Sequence, residues 1–268
     1  MQVSRPRIMG VVNVTPDSFS DGGRFLAHAA AIEHARGVVA LGADWVDVGG
    51  ESTRPRADPV PLDEELRRVI PVVEALAADG VAVSIDTRKA AVAEAAVAAG
   101  ARMVNDVSAT LAEVAATTGV AFVAMHMLGD PRTMQDEPTY DDVVTDVRDY
   151  LVERADAART AGVANVWIDP GFGFGKTLAH NLDLLANLDV LVATGYPVLV
   201  GTSRKSMLGT LAARADPTRQ PPPTSDRLEG SVATAVWALL RGAAMVRVHD
   251  VAATVRAEVP DGLRRMIE

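Results

Sequence analysis

Short apolar runs alternate with longer, alanine-rich segments along this chain, and no other feature constrains its fold as strongly. Each of eight runs is rich in β-branched or other apolar residues and is followed by turn-forming residues and then by a helical pattern. Eight such units, at intervals of roughly 20 to 45 residues, predict one α/β domain folded as a (β/α)8 TIM barrel. The predicted strands are 8–14, 45–48, 81–86, 103–106, 121–126, 165–169, 198–203 and 244–249.

Helices are predicted between these strands. Thr87 and Ser108 are expected to cap the helices that follow them. A doubly wound open sheet is the alternative fold, but no glycine-rich dinucleotide fingerprint follows the first strand, and the barrel is therefore favoured. The helical segments are about 27–41, 62–79, 87–99, 110–118, 141–161, 181–194, one beginning near 205, 227–242 and one at the end of the chain.

The composition favours a small-molecule partner. A chain of 268 residues with 49% hydrophobic residues can bury one large core. The net charge of -9 and the lack of a long basic run argue against a nucleic-acid or membrane surface. Because there is no cysteine, disulfides, thiolate metal sites and a cysteine nucleophile are excluded. No apolar signal core follows Met1 and no window resembles a membrane span, so a cytoplasmic protein is expected.

Polar residues stand where the predicted strands end. In a barrel the carboxyl ends of the strands and the loops after them share one rim, so these side chains are expected to converge. Asp86, Asn105 and Asp169 each end an apolar run, and three such buried groups would be costly without partners. A ligand rich in hydrogen-bond donors would supply those partners. The set is Asn13, Glu51, Ser52, Thr53, Arg54, Asp86, Asn105, His126, Asp169, Ser203, Arg204, Lys205, Arg247 and His249.

Several cations belong to the same set, in a protein that is acidic overall. Arg247 and His249 are two apart on one predicted strand, so their side chains are expected to point the same way. With Lys205 and Arg54 they predict a site for an anionic group such as phosphate, since the seventh and eighth βα loops commonly bind phosphate in this fold. Lys205 also lies at the start of a predicted helix, where backbone N–H groups favour an anion.

The stretch 165–176 has the layout of a binding loop. An apolar strand ends at Asp169, and a glycine-phenylalanine loop follows that is closed by Lys176, one of only three lysines in the chain. Glycines let the backbone approach a ligand closely, and phenylalanine offers a flat face. The roles of Lys176 and His126 stay open at this point.

Seven segments, in order and over nearly the whole chain, resemble the motifs of the dihydropteroate synthase family. The resemblance implies a single (β/α)8 pterin-binding domain over residues 1–268 and a transferase of folate biosynthesis. Such a transferase joins 6-hydroxymethyl-7,8-dihydropterin diphosphate to 4-aminobenzoate, releases diphosphate, requires Mg2+ and is inhibited by sulfonamides. It also implies a homodimer. The segments are MGVVNVTPDSFSDGG (9–23), DVGGESTRP (47–55), SIDT (84–87), NDVS (105–108), DPGFGFGK (169–176), SRKS (203–206) and RVHD (247–250).

The resemblance also implies a role for each matching residue. Asp86, Asn105, Asp169 and Lys205 would line the pterin pocket. Asn13 would help to hold Mg2+ through its side-chain oxygen, and Thr53, Arg247 and His249 would contact the diphosphate. Arg54 is a further substrate-binding candidate. Ser206 would receive the aminobenzoate carboxylate, and Phe172, Pro55 and Phe19 would shape that second pocket.

Two alternatives to this activity are a pterin-dependent methyltransferase and a catalytically silent pterin-binding paralogue. The loops after the first and second strands are expected to close over the site and exclude water. Arg56 departs from the glycine that the family commonly has at that position, which bears on the mobility of the second loop.

Overall fold

The computed structural model describes residues 5–14, 23–52, 57–215 and 220–257, with eight strands and ten helices. The strands are β1 (Arg7–Asn13), β2 (Trp45–Gly49), β3 (Val83–Asp86), β4 (Met103–Asp106), β5 (Ala121–Met125), β6 (Val166–Asp169), β7 (Leu199–Val200) and β8 (Met245–Val248). The helices are α1 (Gly23–Ala40), α2 (Leu62–Ala78), α3 (Ala90–Ala98), α4 (Ala112–Thr118), α5 (Val143–Thr160), α6 (Leu178–Ala186), α7 (Leu188–Val192), α8 (Ser206–Ala215), α9 (Leu228–Leu240) and α10 (Val251–Ala257).

The eight strands close into a barrel. They pair in parallel in the order β6-β5-β4-β3-β2-β1-β8-β7. Ile168 of β6 also forms a parallel bridge with Val198, immediately before β7, and this bridge joins the two ends of the sheet. The predicted (β/α)8 barrel is therefore confirmed, and an open doubly wound sheet, which keeps two edge strands, is wrong.

Apolar side chains pack on both faces of the barrel sheet. The larger cluster lies between the strands and the surrounding helices. A smaller one, inside the barrel, consists of Met9, Met103, Val123, Leu199 and Met245, with Trp45 and Trp167 packed against it. Because the interior is a packed core and not a pore, a ligand can reach polar side chains of the strands only from an end of the barrel.

Most predicted elements are present, and the differences are concentrated at their ends. β7 has two residues, fewer than predicted, and β5 and β8 end before His126 and His249. The predicted helix at 181–194 is two helices, which meet at Asn187. Part of the reason is that the Asn187 side chain donates to the Asp183 carbonyl oxygen, a local bond that competes with helix continuation.

The predicted capping roles of Thr87 and Ser108 are wrong. Lys89 is the residue before α3, and its own side chain caps nothing. The Thr87 hydroxyl donates to Glu65 of α2 at 2.7 Å and accepts only from the Lys89 N–H, at 3.2 Å, ahead of the helix. Ser108 binds Asp106 through its backbone N–H and hydroxyl. Asp106 is fully buried and accepts from the backbone N–H groups of Thr110 and Leu111 as well, so this carboxylate orders the turn before α4.

No helix in the described part of the chain combines the length and the apolar character needed to cross a membrane.

Gly10 and Gly37 form a matched pair for testing how tightly α1 packs on β1. A Cβ atom on Gly10 would lie 2.2 Å from Val38 Cγ1 and 3.2 Å from Val251 Cγ2, whereas one on Gly37 would meet nothing within 4 Å. We expect Gly10→Ala to lower the free energy of unfolding by about 1–3 kcal/mol through overpacking. Gly37→Ala should leave it unchanged or raise it by about 0.5–1 kcal/mol, because alanine favours the helix. Urea denaturation measures both, and equal effects would contradict this packing.

Candidate active site

Strand register brings the predicted polar residues to one rim. Asn13 is paired with Gly49, Gly49 with Asp86, and Asp86 with Asn105, so four neighbouring strands carry them side by side. All four residues lie at or next to the carboxyl ends of their strands. The expected convergence is therefore seen for Asn13, Asp86 and Asn105.

Arg247 lies between two carboxylates at the centre of this rim. Its Nε donates to Asp47 Oδ2 at 2.5 Å, and its Nη2 donates to Asp86 Oδ2 at 2.6 Å. The Asp47 side chain is fully buried, and those of Asp86 and Arg247 are 12% and 19% exposed. The Arg247 guanidinium thus connects β8 with β2 and β3. Arg247 was predicted to bind an anionic ligand, and in this structure two carboxylates bind it.

Asp47 is a site residue that sequence reasoning missed. Besides Arg247, its Oδ2 accepts from the Asn105 side chain at 3.1 Å. Three buried polar atoms around it have no hydrogen-bond partner among the described residues, namely Asp47 Oδ1, Ser84 Oγ and Asn105 Oδ1. A charged residue in the middle of the apolar run WVDVG was the available signal, because such a residue needs a buried partner.

Burial shapes the protonation of the two predicted pterin-binding acids. It raises the pKa of Asp86 to about 7, although Arg247 opposes the rise, and Asp47 adds to it. It also raises the pKa of Asp169, against the Gly171 N–H and the charge of Lys205. Arg247 keeps its charge, since Asp47 and Asp86 raise its pKa despite its burial. Asp169, Lys205 and Arg247 therefore influence one another electrostatically and share one site.

The loop after β6 places an aromatic ring beside Lys205. Asp169 Oδ1 accepts from the Gly171 N–H at 2.7 Å, which fixes the carboxylate relative to the loop. Lys205 Nζ lies 4.0 Å from the centre of the Phe174 ring. Phe174 packs with Val107, Met125 and Met134 in a separate apolar cluster. This cluster forms an apolar wall next to the polar rim, and sequence reasoning missed it.

Phe172 and Phe174 have different positions. Phe172 is 1% exposed and belongs to the main core, so it contributes almost no surface to the site. Its predicted role in the aminobenzoate pocket is not supported by this burial, and Phe174 is the ring of this loop that adjoins Lys205. Which of the two phenylalanine side chains faces the site depends on the backbone conformation of the loop, and the sequence alone does not give that conformation.

His249 is oriented by Ser203. The Ser203 hydroxyl lies 3.1 Å from both the His249 backbone nitrogen, which donates to it, and the imidazole Nδ1. Burial, together with the charges of Arg247 and Arg204, lowers the pKa of His249 to about 3, so the ring is neutral at pH 7. A neutral ring that accepts the Ser203 hydroxyl at Nδ1 carries its hydrogen on Nε2 and can donate it to an anion.

The β7–α8 turn presents Lys205 and Ser206 at a helix start. Ser206 is exposed and begins α8, where backbone N–H groups favour an anion. Arg204 is turned elsewhere, because its Nε and Nη2 bind both carboxylate oxygens of Asp250 at 3.0 and 2.6 Å. Lys205 and Ser206 are therefore the members of this motif that remain candidates for ligand contact.

Some predicted residues lie outside the described part of the chain. They are Phe19, Thr53, Arg54 and Pro55, together with Arg56 and most of the two loops expected to close over the site. The described start of the second loop is anchored by Glu51, which accepts from the Val60 backbone at 2.8 Å and from Lys89 Nζ at 2.6 Å. Lys89 also pairs with the buried Glu65.

Comparison with known proteins identifies this class of barrel. The family model described as pterin binding enzyme matches residues 9–249, which places the chain among the pterin-binding enzymes. Dihydropteroate synthase of Escherichia coli (strain K12) is 47% identical over 264 residues, which are 96% of this chain and 91% of the relative.

Two solved structures of similar chains agree. Xanthomonas albilineans dihydropteroate synthase with 4-aminobenzoic acid superposes with a TM-score of 0.87 at 50% identity, covering 96% of this chain and 92% of the other. The Yersinia pestis enzyme in complex with a sulfonamide drug gives a TM-score of 0.88 at 46% identity, covering 99% and 95%. The chain belongs to the dihydropteroate synthase family.

A double-mutant cycle on Asp47 and Arg247 tests the ion pair at the rim. Either Asp47→Asn or Arg247→Met leaves a buried charge with fewer partners and should lower the free energy of unfolding by about 3–5 kcal/mol. The double variant should lose less than the sum, because the two residues contact each other. Arg36→Met, which removes a surface pair with Asp79, is the control and should change little. Additive effects of the two rim substitutions would contradict the coupling.

Proposed function

We propose that this protein joins 6-hydroxymethyl-7,8-dihydropterin diphosphate to 4-aminobenzoate, forming 7,8-dihydropteroate and diphosphate. The observation that carries the proposal is the juxtaposition of Asp86 and Asp169 with Lys205 and Arg247 at the carboxyl end of the barrel. Acids suit the N–H groups of a pterin, and cations suit its diphosphate. Both halves of the substrate therefore have matching groups on one rim.

The pterin fits the acids and the apolar wall. Asp169 and Asp86 would accept from the adjacent ring N–H and amino groups, and Asn105 offers an unpaired side-chain oxygen among the described residues. Met134 and Phe174 provide an apolar surface for the flat ring system. Lys205, held over Phe174, would donate to the pterin carbonyl or a ring nitrogen.

Bond cleavage between the pterin methylene carbon and diphosphate is the demanding step. The electron pair of the breaking C–O bond leaves with diphosphate, and the electron-rich pterin stabilises the positive charge left on carbon. Arg247 and the Nε2–H of His249, with Thr53, would stabilise the departing negative charge. The aryl amine then forms the C–N bond and loses a proton, so no covalent enzyme intermediate is needed.

The proposed Mg2+ ion would be held by few protein side chains. Asn13 ends β1 and offers one side-chain oxygen at the rim, and no group of three His, Cys, Asp or Glu suited to a metal occurs in the described ranges. Mg2+ commonly uses few protein ligands and is held by waters and substrate phosphates. When bound, Mg2+ would neutralise charge on the diphosphate.

The aminobenzoate would bind at the start of α8. Ser206 and the N–H groups there suit its carboxylate, and Pro55 and Phe19 are proposed to shape the pocket. Sulfonamides, which resemble 4-aminobenzoate, are the proposed inhibitors, in keeping with the sulfonamide complex of the Yersinia pestis relative. A cytoplasmic location is also part of the proposal.

A homodimer completes the proposal. Trp237 of α9 is 40% exposed, and aromatic side chains are enriched at protein–protein interfaces. Light scattering during size-exclusion chromatography measures the assembly state.

The activity is tested by incubating the protein with the pterin diphosphate, 4-aminobenzoate and Mg2+ and measuring dihydropteroate. Product is expected from the wild-type protein, and omission of Mg2+ should suppress it. Absence of turnover with all three present would overturn the proposal and favour a silent paralogue.

Substitutions in the site should separate pterin binding from diphosphate binding. Asp169→Asn and Lys205→Ala should weaken binding of the free pterin, because each removes a charged partner of the ring. Arg247→Ala should chiefly weaken the diphosphate-dependent part of binding. Asp183→Asn, an exposed position on α6 after the same loop, is the matched control and should bind normally. Titration calorimetry with the pterin and its diphosphate measures each effect, and unchanged affinities in the site variants would refute the assignments.

A further inference from the structure

Lys176 is buried beneath the β6–α6 loop, with only 3% of its surface exposed. Its Nζ lies 2.8 Å from His126 Nδ1, 3.1 Å from the Gly171 carbonyl oxygen and 3.0 Å from the Phe174 carbonyl oxygen. An ammonium group has three hydrogens, and each has one of these acceptors. The Lys176 ammonium group therefore points into the loop, where it binds backbone carbonyl groups, and not into solvent.

The loop wraps Lys176 because its backbone is left-handed where a side chain could not fit. Gly171 has φ +65°, and a Cβ atom there would lie 1.9 Å from the His126 carbonyl oxygen. The Gly171 and Phe174 carbonyl groups consequently converge on Lys176 Nζ. Without this lysine, buried carbonyl groups would lose a charged donor, which is costly.

Two proposed pterin contacts depend on the same loop. The Gly171 N–H donates to Asp169 Oδ1, and Gly171 is also held by Lys176. The Phe174 carbonyl accepts from Lys176, while the Phe174 ring lies beside Lys205 Nζ. Lys176 thus contacts the residues that set the positions of Asp169 and Lys205.

We propose that Lys176 is a positioning residue for pterin binding: it fixes the 171–174 backbone so that Asp169 and Lys205 face the ring. The inference rests on the proposed function and names a residue that acts through others. Its own side chain is enclosed by the loop and by His126.

The bonding pattern persists whether or not Lys176 is charged. Burial lowers the pKa of Lys176 to about 7, Lys205 adds to the lowering, and Asp169 opposes it. His126 is neutral, because burial and Lys176 lower its pKa to about 3. A neutral amine can still donate to the two carbonyls while accepting from the other tautomer of His126. Tyr140 and Tyr150 of the neighbouring 140–160 region contact the His126 ring and complete the surroundings.

Lys176→Met tests the positioning role, with Tyr140→Phe as the matched control. Tyr140 donates to the Gly175 carbonyl oxygen of the same loop at 2.7 Å, but this bond lies beyond Gly171 and Phe174. We expect Lys176→Met to raise the Kd for free 6-hydroxymethyl-7,8-dihydropterin, and the KM for its diphosphate, about 10- to 100-fold. The control should change neither by more than about twofold, and kcat in Lys176→Met should fall less than KM rises.

The outcomes separate this inference from the proposed function. If the wild-type protein does not bind the free pterin, the proposed function fails. If it binds and Lys176→Met binds equally well, with only a lower Tm, the positioning role is wrong and Lys176 is structural. Should Lys176→Met fail to fold, Lys176→Gln replaces it, since its amide N–H groups can still donate to the carbonyls. Lys176→Gln should show a smaller rise in Kd, and no rise would overturn the inference.

The pH dependence of stability provides an independent measurement on the same variant. Between pH 7 and 10.5 the unfolded lysine holds a proton that the folded lysine has lost, so this group makes the wild-type protein more stable as pH rises. Methionine does not titrate. We therefore expect the Tm of the wild-type protein, relative to Lys176→Met, to increase from pH 7 to pH 9.5. Parallel curves would show that folding does not lower the pKa of Lys176.

Discussion

The ion pairs of Arg247 with Asp47 and Asp86 are the interactions on which the candidate site depends. They join β8, β2 and β3 at the carboxyl end of the barrel. Buried carboxylates are costly without a cation, and a buried guanidinium is costly without acids, so each group makes the others tolerable. The same contacts set a condition on ligand binding. Any anion that takes Arg247 away from Asp86 must leave that acid with another donor, and the N–H groups of a pterin are donors of that kind.

The sequence was sufficient for the barrel and for most of its rim. Eight apolar runs predicted the strands because burial on both faces removes the polar alternation of an exposed sheet. Asp86, Asn105 and Asp169 were found because each ends such a run. Asp47 was missed because it lies within its strand, and only the register shows that Arg247 reaches it. Whether a polar residue within a strand has a buried ion-pair partner depends on contacts between residues that are distant in sequence.

The details that sequence could not supply depend on local backbone geometry. Thr87 precedes a helix, and its hydroxyl nevertheless donates to Glu65 Oε1. Lys89 pairs with the other oxygen of this buried carboxylate, so Thr87 satisfies the oxygen that would otherwise lack a donor. Phe172 and Phe174 are two residues apart, but left-handed glycines between and around them direct one ring to the core and the other to Lys205. The role of Lys176 was left open by the sequence, and the structure shows that its side chain is buried beneath the loop.

Two buried charge networks lie near the same rim, and their hydrogen bonding distinguishes them. In the first, Lys89 joins Glu51 and Glu65. The Val60 backbone and Arg88 also donate to Glu51, and Thr87 donates to Glu65, so all four carboxylate oxygens have a partner. In the second, around Arg247, the atoms Asp47 Oδ1 and Asn105 Oδ1 have no partner among the described residues. A fully paired network stabilises the fold that already exists. Acceptors left unpaired in a buried site are costly to the protein alone. They become favourable when a ligand or an ordered water donates to them, and for this reason the proposed substrate site is at the second network and not at the first.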